Sequence, residues 1–248
     1  MGSMKRAIKF QNLNLKKSTG WFWATILIIN IISYILNYIN ENAFFGVSYE
    51  FNNGNETYIS LISVAAANLL PIIIYFIVYC YEMYYKSFPI ALSFSVTRKE
   101  FYKSVIIDNV LNAFIFALIQ SILMKIDIYI LNILGDNPKL DYGIFDTGAD
   151  NILYMIFALG VCFLAFISLA NLLGALNYRF GYKLWIFLGL VFSLSTAFVG
   201  TSIWGMFNTL FITRIGILKL IKLGIIIITS YSIGYITVST INIKNRVS

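Results

Sequence analysis

The chain has 248 residues, of which 59% are hydrophobic and 12% are charged, with a net charge of +7 and no histidine. A soluble domain is about half apolar and about a quarter charged, so this composition excludes an ordinary soluble core and predicts an all-α membrane protein. Without histidine, histidine metal sites and histidine-based catalysis are also excluded.

Six apolar runs are long enough to cross a bilayer, since about 20 helical residues suffice. The predicted spans are approximately 21–40, 59–81, 105–123 with a helical extension as far as 134, 152–176, 184 to between 204 and 211, and 217–240. Little chain remains for a soluble domain. We therefore expect one transmembrane domain over residues 4–248, with residues 1–3 an expression remnant ahead of Met4.

The loops between these spans alternate between basic and acidic. Loops rich in lysine and arginine stay in the cytoplasm, which predicts that both termini and the even-numbered loops are cytoplasmic. The fifth connection breaks the alternation, and its long basic side chains are expected to snorkel to the outer headgroups. The basic residues that define the pattern are Lys5, Arg6, Lys9, Lys16, Lys17, Lys86, Arg98, Lys99, Lys103, Arg179, Lys183, Lys244 and Arg246, and those that break it are Arg214, Lys219 and Lys222.

The N-terminal arm places Lys5, Lys9, Asn12 and Lys16 on one helical face. This pattern predicts an interfacial helix on anionic lipid, and the alternative is a frayed basic tail.

Polar residues also recur along the first span. Asn30, Ser33, Tyr34 and Asn37 fall at i, i+3, i+4 and i+7, which makes one continuous face. Such a face either lines a water-filled cavity or forms hydrogen bonds between helices, and both interpretations stay open.

The second loop, residues 84–105, is too apolar for a solvated loop and too charged to span. Pro89 suits the first turn of a short helix. Thr97 has the position of an N-cap, with Glu100 three residues later as in a capping box. We predict a short helix, a break at 95–97, and a second helix that leads into the third span. This segment could dock a soluble partner, and the alternative is a solvated basic loop.

The fifth span carries small residues at Gly189, Ser193, Thr196 and Gly200, with the spacing i, i+4, i+7 and i+11. Small residues let helices approach closely, so this stripe predicts packing within the chain or across a dimer.

Catalytic chemistry is not evident. Asp108 and Asp127 lie at opposite ends of one predicted helix and cannot pair as an aspartyl protease would. No phosphate-binding loop occurs, so we expect no ATP hydrolysis, catalytic residue, metal or cofactor in this chain. Nearly every charge lies near the end of a span, which disfavours an ion-coupled carrier. The basic residues follow from orientation, so no nucleic-acid partner is expected.

The segment FPIALSFSVTRKEFYKS, residues 88–104, resembles the loop after the second helix of small bacterial permeases of the type-2 ABC-transporter family. In that family the segment is a coupling helix that contacts the ATPase subunit. The resemblance implies coupling roles for Phe88, Pro89, Phe94, Ser95, Thr97, Arg98, Lys99, Glu100, Phe101 and Tyr102. The short fourth loop, with Tyr178 and Arg179, is a second candidate ATPase contact.

The resemblance implies the membrane subunit of an ATP-driven exporter in the bacterial cytoplasmic membrane. Its partners would be an ATPase that holds ATP and Mg²⁺, a second permease chain, identical or not, and the cargo. Within the family the chain is similar to permeases of Gram-positive exporters of phenol-soluble modulins, which implies amphipathic peptides as cargo. The alternatives are a secondary transporter or channel, a membrane immunity or assembly protein without transport, and a membrane enzyme.

Overall fold

The computed structural model describes residues 3–39, 47–52, 58–191, 193, 205 and 213–240. Within these ranges the chain is mostly helical. The helices are α1 Ser3–Ile39, α2 Leu69–Glu82, α3 Phe88–Ser93, α4 Arg98–Leu134, α5 Ile152–Phe180, α6 Tyr182–Val191 and α7 Ile217–Ser239, and two strands, β1 Val47–Asn52 and β2 Tyr58–Ser63, form an antiparallel hairpin.

Five helical stretches are long and apolar enough to cross a membrane, which makes the chain a multi-pass membrane protein. They are Lys17–Ile39, Ala65–Ser93, Arg98–Leu134, Ile152–Phe180 and Ile217–Ser239. The shorter apolar helix α6 occupies the start of the predicted fifth span. Most of residues 192–212 lie outside the described residues, including Thr196 and Gly200, so the six-span arrangement stays a prediction.

The N-terminal arm and the first span form a single helix of 37 residues. At 1.5 Å per residue this helix is about 55 Å long. The arm is therefore helical, as the sequence predicts, but it continues the first span without an intervening loop. Its position on a lipid surface stays a prediction.

The second span begins later than the sequence predicts. Residues 58–63 form β2 and not a helix, and a 3-10 turn, Ala65–Asn68, then opens the second span. The Ile62 N–H donates to the Asn137 carbonyl at 2.9 Å, and the Lys139 N–H donates to the Ile62 carbonyl at 2.8 Å. Partners distant in sequence thus satisfy the backbone of this short apolar run, which hydropathy alone assigns to a helix.

The third span runs the full length of α4, from Arg98 to Leu134, which confirms the predicted extension. Gly135 ends the helix with a φ of 85°, a left-handed conformation that glycine adopts without steric cost.

Aromatic side chains from four helices fill the centre of the bundle. The cluster centres on Phe116 of α4, which packs against Trp23 of α1 and Phe76 of α2. Phe163 of α5 packs in turn against Phe76. The ring centroid of Phe116 lies 5.1 Å from that of Trp23 and 5.0 Å from that of Phe76. This cluster fixes α1, α2, α4 and α5 against one another through buried apolar area.

Contacts between helix ends divide the bundle into two ends. At one end, here called the inner end, Arg98 donates to the Ser239 carbonyl at 3.4 Å, so the start of α4 meets the end of α7. At the opposite, outer end, Arg214 binds Asp150. The hairpin and the loop 136–150 share the outer end. The loops thus lie alternately at the outer and the inner end, in the order that the sequence predicts. The assignment of the inner end to the cytoplasm stays a prediction.

Candidate functional site

A sharp turn joins the second and third spans at the inner end. Ser95 takes a φ of 59°, and Thr97 then caps α4. The Glu100 N–H donates to the Thr97 hydroxyl at 3.2 Å, while the Thr97 N–H donates to the Glu100 carboxylate at 3.1 Å. The predicted break at 95–97 and the predicted capping box are both confirmed.

The helix before this turn extends the second membrane helix. A π-helical turn, Met83–Ser87, links α2 to α3, with Pro89 in the first turn of α3. The predicted short helix therefore exists, but it is joined to the second span and does not stand apart from it. Because π turns widen a helix locally and often mark functional sites, this junction is the natural place for α3 to change direction.

Aromatic packing fastens the turn to the bundle from within. Phe88 and Phe101 are fully buried, with ring centroids 5.0 Å apart, and Tyr102 is also fully buried. Phe101, which the resemblance assigns to the coupling segment, has its ring enclosed by its own chain and offers no exposed surface to a partner. Phe94 differs, since it is 63% exposed at the tip of the turn.

The two segments predicted to contact an ATPase lie side by side. The Phe88 ring is 5.6 Å from that of Tyr178, and Asn177 donates to the Tyr85 hydroxyl at 2.9 Å. Arg179 donates to the Thr240 hydroxyl at 3.0 Å, next to the Arg98 bond to Ser239. The ends of α3, α4, α5 and α7 thus form one continuous inner surface. Its exposed residues on the turn are Ser93, Phe94, Ser95, Thr97 and Lys99.

The polar face of the first span points largely into the bundle. Asn30 and Ser33 are buried, and the Tyr34 hydroxyl donates to Asp127 at 2.5 Å. Ser33 donates to the Ile29 carbonyl of its own helix at 2.9 Å. At Tyr34 the face therefore serves a hydrogen bond between helices, one of the two open interpretations. Asn37 has partners of its own.

The small-residue stripe of the fifth span does not pack against the described chain at Gly189. A side chain added there would meet nothing within 4 Å, and Gly189 and Ser193 are both exposed. The interpretation as a packing face between chains stays a prediction.

A hydrogen-bonded chain of polar side chains crosses the interior near the inner end. The Tyr84 hydroxyl donates to Asn171 at 2.8 Å, Asn171 donates to the Tyr102 hydroxyl at 3.2 Å, and that hydroxyl donates to the Tyr231 carbonyl at 3.0 Å. A side chain at Gly234 would collide with the Tyr102 hydroxyl, so only glycine fits there. This chain, which we call the inner polar network, links α4, α5, α7 and the π turn.

Asp108 lies on the buried face of α4, six positions after Tyr102 of the inner polar network. The side chain is 1% exposed, and neither carboxylate oxygen has a hydrogen-bond partner among the described residues. Asn109 and Asn112 are buried on the same helix. Asp108, which the sequence places near one end of the third span, is thus enclosed by the bundle in the structure. The sequence contains a signal for this polar site. Asp108, Asn109 and Asn112 interrupt the apolar run of the third span, on the helix face that also carries Phe101 and Phe116.

The five long apolar helical stretches that surround these polar groups define the class of this chain, a multi-pass membrane protein. No protein-family model, curated protein or solved structure matches it. Within the described residues, no group of three or more cysteine, aspartate or glutamate side chains could hold a metal ion.

Proposed function

We propose that the chain is the membrane subunit of an ATP-driven exporter of the type-2 ABC-transporter family. The observation that carries this proposal is the turn at the inner end, where exposed Phe94 stands on a segment braced by buried Phe88 and Phe101. An exposed aromatic on a rigid support is the usual form of a protein-binding anchor.

The turn is suited to transmit a push to the membrane helices. The capping box fixes the start of α4, and the Phe88 and Phe101 rings hold α3 against it. Arg98 and Arg179 both bond to the end of α7. A force on the turn would therefore move helix ends together as a rigid body and would not be absorbed by a flexible loop.

ATP and Mg²⁺ would reside in a separate ATPase subunit, because the sequence has no phosphate-binding loop. Two permease chains would form the working unit, and amphipathic peptides are the proposed cargo. These three elements rest on the resemblance of residues 88–104 to the coupling segment of the family.

A proton-coupled carrier is the second candidate, favoured by Asp108, which is buried and has no hydrogen-bond partner in the part of the chain that the structure describes. Ionisable residues inside membrane spans commonly mark the path of a transported ion. Flux measurements in proteoliposomes separate the two candidates. The exporter needs the ATPase and ATP, whereas the carrier moves its cargo with a proton gradient alone.

The proposed coupling is tested by a pull-down that uses the wild-type chain to capture an ATPase with a phosphate-binding loop from membranes of the producing cell. Phe94→Ala should weaken binding by about 2 kcal/mol, roughly 30-fold, as truncated aromatic anchors do. Lys99→Glu should weaken binding in a salt-dependent way, since Lys99 is exposed and has no structural bond to lose among the described residues.

Phe157→Ala is the matched control, because Phe157 is a 44% exposed phenylalanine near the outer end of α5. It should bind the ATPase like the wild type. Wild-type binding by both Phe94→Ala and Lys99→Glu would reject the turn as the coupling element.

A further inference from the structure

Asp108 lies inside the apolar part of α4. It is five positions after exposed Lys103, a rise of about 7.5 Å along the helix axis. The turn with Phe94 and Lys99 lies further out on the same side. Asp108 is therefore below the headgroups if Lys103 lies among them, at a depth where water is scarce.

A charged carboxylate at this place would be strongly unfavourable. Both carboxylate oxygens lack a hydrogen-bond donor among the described residues. The two ion pairs among those residues are Glu82–Lys86 and Asp150–Arg214, so Asp108 belongs to neither. A buried charge without a partner strongly destabilises the folded state. Something must neutralise the carboxylate while the bundle is closed.

The described basic side chains do not supply that charge. Lys219 is buried but donates to the Thr213 carbonyl, and Lys125 donates to the Thr147 carbonyl at 2.5 Å and the Asp150 carbonyl at 3.0 Å. Both interactions belong to the outer end.

The groups that face Asp108 are neutral near physiological pH. Tyr79 of α2 interacts electrostatically with Asp108, and Tyr79 in turn interacts with Cys80 of α2 and Tyr231 of α7. On α4 itself the neighbours are the amides Asn109 and Asn112. Residues 18–39 of α1 include no charged side chain, and the charged residue of α5, Arg179, donates to the Thr240 hydroxyl at the inner end.

We propose that Asp108 is a proton-binding site, at which one carboxylate oxygen takes a proton from water while the helices are apart and holds it when they close. A proton fits where a bulky ligand does not, because the surrounding side chains are closely packed and nearly unexposed. A divalent cation would need about six oxygen ligands, and Asp108 is a single carboxylate. The inner polar network, through Tyr102 and Tyr231, places polar groups between this site and the inner end.

The site is tested on the purified full chain in lipid nanodiscs, without any ATPase, so that the result is independent of the proposed exporter function. Infrared difference spectra between acidic and alkaline pH should show the C=O band of a protonated carboxyl group in the wild type. Asp108→Asn, which has the shape of the protonated side chain, should lose that band. Asp141→Asn, a change at an exposed aspartate of the outer loop, should keep it.

Thermal unfolding supplies a second measurement. If the folded chain holds a proton that the unfolded chain releases, stability falls as pH rises above the ordinary range of a free aspartate. The wild-type Tm should therefore drop by about 2–4 °C between pH 5 and pH 9. The Tm of Asp108→Asn should change much less over the same pH range.

Two outcomes would overturn the assignment. Identical pH-difference spectra in the wild type and Asp108→Asn would show that this carboxyl group does not exchange a proton. A rise in wild-type Tm with NaCl that choline chloride does not produce, and that Asp108→Asn abolishes, would identify a sodium site in place of a proton site.

Discussion

Asp127 and Asp108 are two buried carboxylates on one helix with opposite surroundings. Asp127 accepts from the Tyr34 hydroxyl at 2.5 Å, from the Ser63 hydroxyl at 2.6 Å and from the Ala65 N–H at 3.4 Å. It therefore joins α1, the hairpin and the start of the second span. Donors that converge on a carboxylate offset its loss of water, so Asp127 is a structural group. No donor among the described residues does the same for Asp108.

Replacing Asp127 should weaken the outer end of the bundle. In Asp127→Asn, an amide NH2 group replaces one carboxylate oxygen and would face the Tyr34 or Ser63 hydroxyl, which donates in the wild type. At least one hydrogen bond to a charged acceptor is therefore lost. The free energy of unfolding should fall by about 1.5–3 kcal/mol. Tyr34→Phe should lower it by about 1 kcal/mol, and urea or thermal unfolding in micelles measures both effects.

Tyr129→Phe is the control, because Tyr129 is 69% exposed on the same helix. It should leave Tm unchanged. Equal stability of Asp127→Asn and the wild type would contradict the structural role of Asp127 and reopen the interpretation of the first-span polar face as a cavity lining.

At the scale of elements, local signals were readable and distant ones were not. Pro89, Thr97 and Glu100 act within a few residues, so the helix, the break and the capping box at the turn could be predicted. The strand at 58–63 depends on partners at 137–139, far away in sequence. The burial of Phe101 and Asp108 likewise depends on which face of α4 the other helices cover, and hydropathy does not carry that information.

The capping box should stabilise the first turn of α4. Thr97→Ala removes the hydroxyl that accepts from the Glu100 N–H, a loss worth about 1 kcal/mol. We expect faster hydrogen exchange of the amides at 98–101 and a small decrease in Tm. Thr97→Ser retains the acceptor and should resemble the wild type.

Ser93→Ala is a second control within the same turn, since Ser93 is exposed and bonds only locally, to the Ile90 carbonyl. Exchange rates at 98–101 that are equal in Thr97→Ala and the wild type would show that Thr97 does not hold the helix start.

At the scale of the whole molecule, the described inner end carries an excess of basic side chains, and at the outer end Asp150 pairs with Arg214. Arg214 and Lys219 depart from the charge rule, and the structure shows how they are accommodated. Asp150 binds Arg214 and raises the pKa of its guanidinium above the ordinary value, because the adjacent negative charge stabilises the cation. Lys219 bonds to a carbonyl. The order of the spans was predictable from hydropathy and charge, but these pairings depend on the third loop folding over the start of α7.

Orientation in the membrane follows from this arrangement and can be measured directly. Cys80 and Cys162 are both buried, so they should not react with a membrane-impermeant maleimide. Asp141→Cys places a thiol on the exposed outer loop, and Lys99→Cys places one on the exposed inner turn. If lysine- and arginine-rich loops stay in the cytoplasm, intact cells should be labelled at position 141 and not at position 99. Position 99 should react only after the membrane is permeabilised.

Because α4 connects the two positions, labelling of both from outside would mean that α4 does not cross the bilayer. The opposite pattern, with position 99 alone labelled in intact cells, would place the proposed ATPase-binding turn outside the cell, where ATP is not available to drive it.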